Sequence, residues 1–167
     1  MNWFLVWLFL HILAAVIAFG PIFVFPIIGT LVAQSPQNFR FAMQLNERIE
    51  SRLVAPLALT MLVSGSGLIW SANINFFQTP FLIVAVILYL TALTIAFAVL
   101  VPTTHRLLEA ADHMPASAPA GAPAGGGPPP EVRALIRRNQ MFGGFTTVLF
   151  LVIIFLMIIQ PGGIAIR

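Results

Sequence analysis

Residues 3–25 read WFLVWLFLHILAAVIAFGPIFVF, and the one ionisable side chain among them is His11. At 1.5 Å rise per residue, an uninterrupted apolar run of this kind is long enough to cross the roughly 30 Å hydrocarbon core of a bilayer as a helix. No basic residue precedes the run and no convincing Ala-x-Ala cleavage pattern follows it, so it is read as a retained span and not as a secretory signal. Three further stretches meet the same test, at residues 53–71, 80–101 and 141–159. The expected fold is therefore all-α: a polytopic membrane protein, a bundle of four transmembrane helices with cytoplasmic helix extensions.

Composition enforces the same reading. Hydrophobic residues make up 59% of the 167-residue chain and charged residues only 8%, against about a quarter charged in an ordinary soluble domain. A water-soluble fold of this size has too little interior for so many apolar side chains, so lipid has to be their solvent. The sequence pI is near 11.2, yet the net charge of +3 arises from arginines flanking the spans. That is a topology signal and not a phosphate-binding footprint, so nucleic acid is not an expected partner. Cysteine is absent, which excludes disulfides, thiolate catalysis, iron–sulfur clusters and Cys-ligated zinc.

The connections differ in charge. Arg40, Arg48 and Arg52 lie between the first two spans, and Arg106, Arg133, Arg137 and Arg138 between the last two, whereas residues 72–79 carry no basic side chain. Short basic connections stay in the cytoplasm, so both termini are expected outside the cytoplasm and the chain in a bacterial inner membrane. Trp3, Trp7, Trp70, Phe76 and Phe77 fall at the opposite level, where an interfacial aromatic belt belongs.

Ser35-Pro36 supplies a helix-starting pair. Phe39, Ala42, Ile49 and Leu53 then share a face, with Arg40, Glu47, Arg48 and Glu50 directed to water or headgroups, as in an amphipathic lead-in to the second span. Residues 115–130, PASAPAGAPAGGGPPP, have no side chains able to build a core and are expected to be a disordered cytoplasmic linker. A helix restarting at Glu131 feeds the last span, and Gln160-Pro161-Gly162-Gly163 stops it. Pro21, Pro26, Pro56 and Pro102 each remove a helix hydrogen bond, so disruption is expected near the inner ends. Ser64-Gly65-Ser66-Gly67 and Gly143-Gly144 offer smooth surfaces for close helix approach.

An ionisable side chain inside a span is a functional candidate because keeping it there is costly. His11 sits about 12 Å below the outer surface if the span starts at Trp3. It shares a stripe with Ala14, Ala15 and Ala18, which turns it toward the bundle. At 1.5 Å per residue, Thr60, Met61, Ser64, Thr91, Thr146 and Thr147 come to comparable depth, roughly 10 to 21 Å. Three readings of His11 stay open. It hydrogen-bonds between helices; it ligates a haem b iron, with Met61 as the other axial donor; or it serves a proton relay or substrate contact. With no second intramembrane histidine, a bis-His haem within one chain is impossible.

His105, Glu109 and His113 recur at i, i+4 and i+8 beyond the third span. Two imidazoles and a carboxylate on one face suit Zn²⁺ completed by water, while a solvated helix end carries the same residues for its dipole alone. No nucleotide loop, Ser/His/Asp arrangement or paired intramembrane carboxylate is present, which leaves hydrolases and primary pumps without support. A homo-oligomer or a membrane-complex subunit fits the small-residue faces, and the kinking prolines alone suggest a small-molecule carrier.

Leu10-His11-Ile12-Leu13-Ala14-Ala15 with Phe19-Gly20 resembles the opening of a bacterial family of integral membrane proteins of unknown function. So does the Arg48 to Arg52 lead-in, followed by Val54-Ala55-Pro56 and Ser64-Gly65-Ser66-Gly67-Leu68-Ile69-Trp70. That family is similar to the copper-resistance D type membrane proteins and, more loosely, to the bacterial protoporphyrinogen oxidase of the haem pathway. On this resemblance His11 is the position that inherits a ligand role, which implies a haem-associated redox or accessory subunit.

Overall fold

A computed structural model describes residues 2–35, 38–113 and 129–164. Among them the chain is helical, and four helices are long and apolar enough to cross a membrane. Helix α1 covers Trp3–Gln34. The second long rod consists of α2 (Phe39–Ile49), a π-turn at Glu50–Val54 and α3 (Ala55–Ser71). The third consists of α4 (Pro80–Ile95), a π-turn at Ala96–Leu100 and α5 (Val101–His113). The fourth is α6, Pro130–Ile159. The second, third and fourth rods are longer than their apolar runs because the charged approaches on α2, α5 and the start of α6 continue the same helices, while α1 runs on to Gln34 without a charged residue.

The two π-turns answer the proline expectation. Pro56 and Pro102 lie two residues beyond them. A proline lacks the N–H that would close the preceding turn and its ring crowds the carbonyl four residues back, and a widened i→i+5 turn relieves both. Pro21 and Pro26 instead lie within the continuous α1.

Some starts and stops differ from the sequence reading. Pro36 and residues 115–128 lie outside the described residues, so neither the Ser35-Pro36 start nor the linker is addressed by the structure. Asn38 occupies the N-cap of α2, with no side-chain capping bond. Pro130 occupies the first turn of α6, where its missing N–H costs nothing. Helix α6 ends at the expected place: Gln160 adopts the left-handed conformation and its N–H bonds the Leu156 carbonyl. A Cβ added at Gly162, whose φ is +90°, would sit 3.4 Å from the Pro80 ring. The chain after α6 thus returns beside the start of α4.

Helix α1 packs chiefly on α3, α4 on α6, and α2 on α5. The buried centre joins Ala14, Ala18, Phe19, Met61, Tyr89 and Ile153 from the four rods. Phe19 and Phe150 rings meet at 4.3 Å. The Tyr89 hydroxyl donates to the Ala58 carbonyl at 2.6 Å, which satisfies its one polar atom in an apolar centre. Only 17% to 22% of each apolar window is buried inside the chain. The rest must lie against lipid or a partner, since so much exposed Leu, Ile, Val and Phe is not tolerated in water.

Candidate functional site

The α1–α3 contact is built on small residues facing a large one. Ser64 on α3 is 1% exposed, and its Oγ lies 3.0 Å from His11 Nδ1. A Cβ at Gly65 would come 3.4 Å from His11 Cε1, and one at Gly67 would come 2.3 Å from the Trp7 ring. Gly67 therefore removes bulk that would hold the helices apart, whereas at Gly65 an added carbon would only reach ordinary contact; Trp7 and His11, one turn apart on α1, face these two positions.

The hydroxyl geometry assigns the proton of the neutral imidazole. Ser64 Oγ has one hydrogen, and the Thr60 carbonyl lies at 2.8 Å with the Met61 carbonyl behind it at 3.3 Å. With its hydrogen so directed, Ser64 accepts at its lone pair, so His11 donates from Nδ1–H. The Met61 side chain packs in the central apolar cluster with Ala14 and Ala18.

The wider polar layer does not assemble. Thr60 donates to the Pro56 carbonyl at 2.9 Å, Thr91 to Ile87 at 2.8 Å, Thr146 to Phe142 at 2.8 Å and Thr147 to Gly143 at 2.9 Å. Each threonine satisfies its hydroxyl on its own helix four residues back, an option always open to Ser and Thr in apolar surroundings. Equal depth therefore did not bring these groups to His11. Gly143 and Gly144 likewise meet nothing within 4 Å of an added Cβ, so they serve no close approach within the described residues.

On α5, His105, Glu109 and His113 are exposed. Among the described residues no group of three His, Cys, Asp or Glu side chains is placed to hold a metal ion. What the structure does bring together at this end is α2 against α5. Arg40 Nε pairs with Asp112 Oδ1 at 2.7 Å, so Arg40 has a protein partner in addition to water. Glu50 also departs from its expected outward direction. It lies on the charged side of Leu53, outside the membrane-spanning run, and packs beside Thr104 and His105. Burial pushes its carboxyl above the ordinary carboxylate range, opposed by the Thr104 hydrogen bond and by the charge of His105. The amphipathic pattern of α2 directs Glu50 to water; the packing of α2 on α5 turns it to Thr104 instead.

Trp3, Phe4, Trp7 and Trp70 line one recess with Asn2 and Ser71 at the other end of the bundle. The aromatic recess and the arginines of α2, α5 and α6 thus lie at opposite ends of the bundle.

Fold and surface together define an integral, multi-pass membrane protein. The chain belongs to the family described as "Predicted integral membrane protein (DUF2269)", which matches residues 5–161. No curated protein and no solved structure matches it.

Proposed function

We propose that this chain is a non-enzymatic packing or assembly subunit of the bacterial inner membrane, in which His11 serves as an interhelical hydrogen-bond donor. The observation that carries this reading is the 3.0 Å contact from His11 Nδ1 to the buried Ser64 hydroxyl. The imidazole Nδ1–H thereby gains an acceptor in surroundings where an unpaired polar atom is costly. The broad apolar surface left uncovered by the chain supports a lipid or protein partner around the bundle, including a second copy.

The competing reading is a haem-associated redox subunit, the role that the first-span resemblance implies for His11. The donor set as arranged does not fit a macrocycle held between His11 and Met61. Gly65 lies against the imidazole edge, and Met61 is 7% exposed among Ala14, Ala18 and Tyr89. A porphyrin plane between them would require α1 and α3 to separate.

One experiment divides the two. The protein is expressed with added haem, purified in detergent and examined by absorption and by thermal melting. We expect no Soret band, and a His11→Ala change that lowers stability by about 0.6 kcal/mol, with 1.7 as the upper end for such bonds. A Soret band that disappears in His11→Ala would overturn the packing reading.

Orientation follows as part of the same proposal. The arginines of α2, α5 and α6 are placed in the cytoplasm and both termini outside it, supported by the positive-inside rule and by the tryptophans at the opposite end.

A further inference from the structure

We infer that the start of α6 is a binding site for an anionic phospholipid, with Arg133, Arg137 and Arg138 holding the phosphate and the face below them taking an acyl chain. An open recess of about 590 Å³ is lined by Pro130, Arg133, Ala134, Arg137, Arg138 and Met141. Helical spacing gathers three guanidinium groups there within two turns. Each offers a planar fork of donors suited to phosphate oxygens.

Among the described residues the arginines at this recess form no ion pair, not even with Glu131 at the start of the same helix. The chain's carboxylate side chains are Glu47, Glu50, Glu109, Asp112 and Glu131, and residues outside the described set contain no Asp or Glu. Among the described residues the one ion pair is Arg40 with Asp112. Three neighbouring cations without a paired carboxylate repel one another unless an anion joins them.

The source of that anion is given by what adjoins the recess. Met141 is 62% exposed, Phe145 51% and Val148 55%. They succeed one another at i+4 and i+3 along the face that begins at Ala134 and Arg138, and span about 10 Å of helix. Charged forks above an unpartnered apolar stripe match a molecule with a phosphate at one end and hydrocarbon at the other. A free phosphate would use the arginines and leave the stripe unexplained. Basic recesses at the membrane surface bind anionic headgroups for the same electrostatic reason.

The test uses the full chain in detergent, titrated with phosphatidylglycerol or phosphatidylcholine and read by native mass spectrometry. Phosphatidylglycerol should bind in preference, and R133Q/R137Q/R138Q should weaken it about a hundredfold, near fivefold per arginine. The control R48Q/R52Q/R106Q, at the same end of the bundle, should stay within about threefold of the parent. Inorganic phosphate at equal concentration should displace nothing. Equal binding of both lipids, undiminished binding to the first variant, an equal loss in the control, or displacement by phosphate alone would each overturn the inference. If the triple variant does not insert, R137Q alone must weaken binding about fivefold, and an unchanged affinity overturns the site.

Discussion

Gly67→Ala is expected to destabilise the α1–α3 pair by about 1–3 kcal/mol, the range for forcing extra carbon into a packed contact. The added methyl would fall 2.3 Å from the Trp7 ring, and the atoms it meets belong to the body of the indole, which cannot step aside as a flexible chain end can. Gly65→Ala is the internal comparison, because its methyl would stand 3.4 Å from His11, close to ordinary contact. Both changes gain up to about 1 kcal/mol of helix propensity, so the difference between them isolates the clash. Thermal melting of the two variants in detergent reads that difference. Trp7→Ala added to Gly67→Ala should recover part of the loss, since neighbours that share a contact are not additive. Equal melting of Gly65→Ala and Gly67→Ala would show that α1 and α3 do not meet along this line.

Tyr89→Ala should cost about 3–5 kcal/mol, as large-to-small changes in a packed centre do. Tyr89 is 7% exposed and stands between α3, through its bond to the Ala58 carbonyl, and α6, through Phe150 at 6.5 Å between ring centroids. Tyr89→Phe keeps the ring and loses only the hydrogen bond, for about 0.6–1 kcal/mol. The Ala58 carbonyl retains its place in the helix ladder, which keeps that second cost small. A Tyr89→Ala protein that melts with the parent would remove Tyr89 from the centre.

The sequence carried the architecture because apolar length has a single physical solution in a bilayer. Residues 3–25 required a helix, and the arginines around 40–52 and 106–138 separated one end of the bundle from the other. It also carried the orientation of His11, since Ala14 and Ala18, three and seven residues on, mark the contact stripe and are 2% and 1% exposed. Side-chain partners were less legible. Depth along a span put Thr60, Thr91, Thr146 and Thr147 level with His11, but depth says nothing about rotation around the helix, and backbone carbonyls compete for every hydroxyl. The glycines show the same limit: Gly65 and Gly67 face α1 whereas Gly143 and Gly144 face open space, a distinction made by the neighbouring helix and not by the dipeptide. Glu50 was read with the other charges of α2, and only the docking of α2 on α5 brings it beside Thr104.

The proposed orientation puts the arginine-bearing end of the four crossings in the cytoplasm, and site-directed labelling reads it out. The chain contains no cysteine, so single cysteines placed by Asn75→Cys and Ser117→Cys report unambiguously with a membrane-impermeant maleimide on intact cells. Asn75→Cys is expected to label at once and Ser117→Cys only after the membrane is opened. Labelling of Ser117→Cys on intact cells, or protection of Asn75→Cys, would contradict that orientation.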